Sequence, residues 1–499
     1  MTHPDPDFTT GTDGPPPRPG RGRAVRLLRM IALIVAAVLA ISVSATAATR
    51  GKPAQKKTLP TVSMADIVAT KNNVYALAAD HSAVYEWSGL GTEWLQIRGP
   101  VKNLYAGPDT LYATDGTTGD IWQYRPTLEE AADYGGWTRI GTPGANFVVA
   151  DGHLYGLAPD KSAVMEYTGT PKNPTAWKGV RGPAGQIYGG KSLYATNPAT
   201  GNIQQYNRSK NDWTEIGGPG STFTATDRNL YGLAPDKSAV MEYTGTPWKW
   251  KPVGDAAGRL YSGNTLYATN PATGDLYKHN GNGKWNRIGG PGATFTEADN
   301  RVYRLSPDHR TVFHYTGTGD AWESLGAPTN QAATLQEKTD RFNELIKTGD
   351  ASRIAWNRTR NASRLSNGAW DRFKFTFESD FCNRPAPDVM DFAGFAVFDF
   401  KMPCAHHDFG YRNAKEFLLD GDIGDGTQGP AIKRQVDKMF KADMDYSCKT
   451  KSEIAWACRA ASQIYYSAVE HLGSDAQWDS IPEKLMDLQR KITSPSWPS

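Results

Sequence analysis

Two adjacent histidines followed by an aspartate, in "CAHHDFGYRN" (Cys404–Asn413), are the residues of this 499-residue chain best suited to chemistry. A neutral imidazole can take a proton from water, and a carboxylate behind it fixes the tautomer and stabilises the imidazolium. The chain holds no G-x-S-x-G, so nothing points to a serine nucleophile on a strand-to-helix elbow.

Helix geometry separates the two histidines. Pro403 suits the first turn of a helix. On that helix Cys404, His407, Asp408 and Tyr411 share a face, because residues three and four apart stack. His406 is turned away from His407 by about 100°. A disulfide from Cys404 to Cys382 would draw "ESDFC" (Glu378–Cys382) beside His407 and Asp408, with Asp380 near Asp408. Two carboxylates and a loop carbonyl begin a site for a hard cation such as Ca²⁺. The register therefore selects His407 as the base and expects His406 to be dispensable.

The elements around this helix fall into two regions. From 61 to 326 the chain repeats itself: "LYGLAPDKSAVMEYTGTP" occurs verbatim at Leu154–Pro171 and Leu230–Pro247. A second unit, "LYATNPATG", begins at Leu193 and Leu266, with the variant "LYATDGTTG" at Leu111. Divergent copies of the first unit begin at Val74 and Val302, so the two types alternate through seven copies. Each copy closes on a tryptophan, two residues, then an aliphatic, from Trp94 to Trp322. Such copies fit one four-stranded blade each, and the pattern predicts an all-β propeller of about seven blades. In rhythm the segment resembles tachylectin-like propellers. The tryptophans are expected to pack between blades rather than to stack on a ligand.

After "LGAPTNQAATLQ" the spacing becomes helical: Leu335, Phe342, Leu345 and Ile346 share one face. "IKRQVDKMFKADM" and "IAWACRAASQIYYSAVEHLG" also read as helices, so a small, mainly α domain is expected over 335–475, with a tail at 476–499. All four cysteines lie there, Cys382, Cys404, Cys448 and Cys458, which reads as a local disulfide staple in an exported chain. A leader at 1–48 carries a Pro/Arg-rich stretch, an apolar run from Met30 to Val43 and "ATA" at Ala45–Ala47. It reads as a cleaved secretory signal, with an uncleaved signal-anchor as the other reading. Basic and acidic residues nearly balance, 55 against 52, which gives no footprint for nucleic acid.

"SDFC", "CAHHDFGYRN" and "RQVDKMF", with "NASRLSNGAWDRFKF" and "YYSAVEHLG" around them, resemble the small secreted phospholipase A2 family of bacteria and fungi. The likeness runs from about Arg353 to Gly473. It implies His407 as general base, Asp437 as the aspartate that orients it, and Asp380, Asp408 and the Phe381 carbonyl as calcium ligands. It also implies the disulfides Cys382–Cys404 and Cys448–Cys458. The activity implied is hydrolysis of the sn-2 ester of a glycerophospholipid in a membrane or micelle, outside the cytoplasm. Two departures stand out: His406 replaces a common arginine, and "LLDGDIGDGTQGP" lengthens the loop between the helices. An isolated His-Asp pair is commonly a surface feature; the flanking cysteine, "FGYRN" and "SDFC" set this one apart. Asp437 taken alone would be an ordinary residue of an amphipathic helix. "DGDIGDG" is read as a loop, since its glycines sit wrongly for an EF-hand. Two roles compete for the propeller: a targeting module separable from the hydrolase, or the main agent, binding a glycan or surface while the lipase domain is secondary or inactive. A third reading, an exported membrane-damaging toxin, differs in purpose rather than chemistry.

Overall fold

The computed structural model describes residues 60–125, 136–170, 172–281, 283–379, 400–419, 429–449 and 455–470. The leader, the "DGDIGDG" loop, the C-terminal tail and the segment holding Asp380, Phe381 and Cys382 lie outside the described residues. None of the described helices is long and apolar enough to cross a membrane.

The repeats form a seven-bladed β-propeller. Each blade is a four-stranded antiparallel meander in chain order, at 64–98, 101–141, 146–181, 187–217, 222–254, 260–289 and 294–326. The first strands of successive blades touch one another all the way round, including the seventh with the first, so they surround the axis. Buried positions alternate within strands such as Thr222–Ala225, where Phe223 and Ala225 face the packed layer, as period-two strands require. Register shifts between the third and fourth strands in every blade, for example between Val240 and Met241. A bulge of this kind increases local twist.

The tryptophan pattern explains how the ring holds together. The indole Nε1 of each blade donates to the backbone oxygen of the aliphatic residue that closes the preceding blade. Trp137 reaches Ile97, Trp177 reaches Ile140, Trp213 reaches Val180, Trp250 reaches Ile216, Trp285 reaches Val253 and Trp322 reaches Ile288, at 2.7–3.1 Å. Trp94 closes the circle onto Leu325 at 2.8 Å. Every tryptophan is thus both an apolar wedge and a donor, the use a buried indole favours. No strand is exchanged to seal the ring. Instead Val62 N donates to Pro328 O and Met64 N to His309 O, at 2.8 and 2.9 Å.

Among the described residues five helices follow: α1 (Leu335–Leu345), α2 (Asp350–Leu365), α3 (Lys401–Leu419), α4 (Gly429–Lys449) and α5 (Ala455–Glu470). Thr334 caps α1 in a capping box with Glu337, a start signal that satisfies two backbone donors. Phe342, Leu345 and Ile346 are buried as the spacing predicts, whereas Leu335 is exposed at the first helical position. These apolar residues join Trp356, Phe373, Phe375, Ala405, Phe409, Val436 and Met439 in one core. The Cys448–Cys458 disulfide ties α4 to α5 with Cα atoms 5.5 Å apart. Cys404 is also disulfide-bonded, while its expected partner Cys382 lies outside the described residues.

The helices pack directly against blade 1. Arg358 on α2 is buried with Nε 3.4 Å from Glu86 Oε1, and its Nη2 donates to Asn72 O at 2.8 Å. Glu86 in turn accepts from Asn73 Nδ2 at 2.8 Å and from the Tyr124 hydroxyl at 3.1 Å. Arg372 pairs with Glu93 at 3.1 Å, and Ala362 sits in the apolar cluster between blades 1 and 2. The sequence analysis did not anticipate this contact, because long-range pairs of buried charge leave no trace in local sequence pattern.

Candidate active site

Lys401 begins α3, so Pro403 falls in its first turn, where its missing N–H has no helical partner to lose. Farther along, Gly410 lets α4 approach: a Cβ there would lie 2.6 Å from Val436 Cγ1. That close crossing brings His407 on α3 to Asp437 on α4. His407 Nε2 lies 3.2 Å from Asp437 Oδ1. The Tyr411 hydroxyl donates to the same oxygen at 2.8 Å, and Lys433 Nζ donates to Oδ2 at 2.8 Å.

The carboxylate is therefore held from three sides. Burial raises the Asp437 pKa, but hydrogen bonds from His407, Lys433 and Tyr411 outweigh it and hold the group below the usual carboxylate value. Burial, reinforced by the charge of Asp437, pushes the Tyr411 hydroxyl well upward, so it stays a donor. The imidazole of His407 lies 4.6 Å from the rings of both Tyr411 and Phe440, tilted by 52° and 35° to them. Its side chain is 13% exposed against 3% for Asp437, so the ring is reached from outside and the carboxylate is not. With Nε2 turned to Asp437, Nδ1 is the nitrogen available to a water molecule.

His406 faces another side and is fully buried. Its Nδ1 lies 2.7 Å from Asp443 Oδ2, its Nε2 lies 3.0 Å from Leu345 O, and its ring stacks on Trp356 at 4.2 Å. Both nitrogens are engaged by acceptors, so neither is left to take a proton from water. Of the two histidines, only His407 has the geometry of a base.

The model of the prokaryotic phospholipase A2 family matches residues 350–473. That segment is a prokaryotic phospholipase A2 domain. It begins at α2 and runs through α5, and so contains both histidine–aspartate pairs. No curated protein matches the chain. Among solved structures the chain is similar to the ectodomain of a receptor kinase from Physcomitrella patens, at 14% identity and TM-score 0.36, covering 56% of this chain and 77% of that one. The CRINKLY WD40 ectodomain of an Arabidopsis thaliana receptor kinase is similar at 13% identity and TM-score 0.35, over 54% and 98% of the two chains. An acylaminoacyl peptidase from Pyrococcus horikoshii is similar at 11% identity and TM-score 0.36, over 53% and 52%.

Within the phospholipase A2 domain, the structure brings together His407, Asp437 and, next to His407, Asp408. Asp408 Oδ2 accepts from the Ser379 hydroxyl at 2.5 Å, so Ser379 lies beside α3. Among the described residues no three acidic, histidine or cysteine side chains gather as a metal cluster; Asp380 and Phe381 lie outside them. The donor chemistry that is described, a carboxylate with a hydroxyl beside it, suits a hard oxygen-seeking cation. Sequence reasoning missed Asp443, Tyr411 as a donor to Asp437, and Lys433. Lys433 sits four residues before Asp437, a helical pairing distance that could have flagged it. Asp443 carried no comparable signal.

Proposed function

We propose that this chain is a calcium-dependent phospholipase A2 that hydrolyses the sn-2 ester of glycerophospholipids, releasing a fatty acid and a lysophospholipid. The observation that carries the reading is His407, with Nε2 on Asp437 and Nδ1 directed away from it. Nδ1 takes a proton from water as the oxygen attacks the ester carbonyl; Asp437 stabilises the imidazolium, and the proton passes on to the leaving alkoxide. Asp408, Asp380 and the Phe381 carbonyl would hold calcium, which when bound supplies charge to the polarised carbonyl and developing oxyanion. Tyr411 and Phe440 pack against the imidazole and restrict its rotation.

The leader at 1–48 exports the chain, as a cleaved signal or as an anchor that leaves the protein tethered outside the cytoplasm. The propeller serves as a binding module that brings the hydrolase to a surface, a glycan-bearing one included, and its repeats show no recurring acid, base or metal cluster. The test is release of fatty acid from phospholipid vesicles by the full chain, with and without chelator. Release of the sn-1 chain, or none in the presence of calcium, overturns the reading.

A further inference from the structure

The tryptophans that close the blades are not all covered alike. The guanidinium of Arg98 lies 4.9 Å from the ring of Trp137, that of Arg181 4.8 Å from Trp213, and that of Arg304 4.8 Å from Trp322. Arg304 projects from the second strand of blade 7, opposite Phe313, and its Nη1 lies 3.5 Å from Gly290 O. In blade 3 the same register position is Gly156, opposite Met165; in blade 5 it is Gly232, opposite Met241. Where the side chain of Arg304 runs in blade 7, blade 3 has a cavity of about 140 Å³. Phe147, Gly156, Met165, Trp177 and the turn at 142–144 line it; Gly156 stands where blade 7 has Arg304, and Met165 and Trp177 match Phe313 and Trp322, the rings against which that guanidinium lies.

In blade 5 the aromatic pair and the glycine recur. Ring centroids of Phe223 and Trp250 are 6.0 Å apart at 54°, against 6.0 Å and 58° for Phe147 and Trp177. Both blades thus keep the indole, the phenyl edge and the proline–glycine turn and omit the arginine of blade 7, while blade 1, the fourth blade of this type, has Ala76 there.

We propose that the pocket of blade 3 and the equivalent position of blade 5 each bind a planar guanidinium, the side chain of an arginine presented by a protein partner. The face of an indole attracts a cation, and a guanidinium stacks flat on it while losing little hydration; a compact ammonium does neither as well. The ring makes this contact three times with its own arginines. Two such sites on one rigid ring let a partner bearing two arginines gain through effective concentration.

The test follows indole N–H signals of the full chain by NMR during titration with N-acetyl-arginine amide. N-acetyl-lysine amide and N-acetylglucosamine serve as comparison probes. Only the Trp177 and Trp250 signals are expected to shift, with arginine amide acting at several-fold lower concentration than either comparison. The Gly232→Arg variant should silence Trp250, because the side chain then occupies that position as in blade 7. A Cβ at this position lies 3.0 Å from Phe223 Cε1, so the ring must shift slightly. In the reverse experiment, Arg304→Gly should open a third site and add Trp322 to the responding signals. Shifts produced by N-acetylglucosamine and not by arginine amide, or no new response in Arg304→Gly, would overturn the proposal.

Discussion

His406 and His407 are neighbours in the chain, yet they bond to different aspartates of α4, His406 to Asp443 at 2.7 Å and His407 to Asp437 at 3.2 Å. Two histidine–aspartate pairs thus bridge α3 and α4, on faces of α3 about 100° apart. The first is sealed in the core; the second is open at one edge.

Substituting the two histidines should therefore fail in different ways. His407→Ala is expected to lower hydrolysis by about 10²- to 10⁴-fold with little change in melting temperature, the range for loss of a positioned base. His406→Ala strands Asp443 in the core and removes the stack on Trp356, at a cost of about 3–5 kcal/mol. Paired activity and thermal-unfolding measurements separate them. Equal loss of activity at a temperature where both variants are folded would remove His407 from its role.

The state of Asp437 sets a pH dependence of stability. Its folded pKa lies below the unfolded value of 3.8, so its contribution is fully present above that value and is lost as pH falls through the folded one. Asp437→Asn should melt lower than the wild type at neutral pH, and the gap should narrow below about pH 4. A gap that stays constant down to pH 2 would mean that the carboxylate is not held by its three donors.

Calcium removal is the next test. Excess chelator should abolish hydrolysis, and magnesium should restore it poorly, because a site completed by water and substrate suits a larger and more flexible cation. Full activity in chelator would remove Asp408 and its expected partners from metal binding.

The contact between α2 and blade 1 should be measurable as stability. Glu86→Gln leaves Arg358 buried beside a neutral group and is expected to cost up to about 3–5 kcal/mol in chemical denaturation. For the same reason a fragment of residues 335–499 should melt below the full chain. An unchanged midpoint for both would restore the picture of two independent modules.

Much of this was legible in the sequence. The alternation of two repeat units marks the seven blades because each unit is one meander, and the tryptophan-x-x-aliphatic ending marks the packing between blades, though not the indole bonds that accompany it. His407 was separable from His406 by register, since helical faces follow from spacing alone. The partners of His406 were not legible: Leu345 O and Asp443 lie 61 and 37 residues away, and no local pattern encodes such pairs. The same holds for Arg358, whose carboxylate partner Glu86 belongs to a blade of quite different rhythm.

The seventh indole bond, from Trp94 to Leu325, is chemically the same as the other six, and the chain enters and leaves the ring at adjoining points, Val62 and Pro328. A circle whose joints are all alike has no structural beginning. Joining 61 to 327 by a short linker and opening the chain between blades 4 and 5 would preserve every joint while moving the exit to another sector of the rim. Where the hydrolase hangs is then a matter of gene order, held to blade 1 by Arg358, Arg372 and the apolar packing of Ala362.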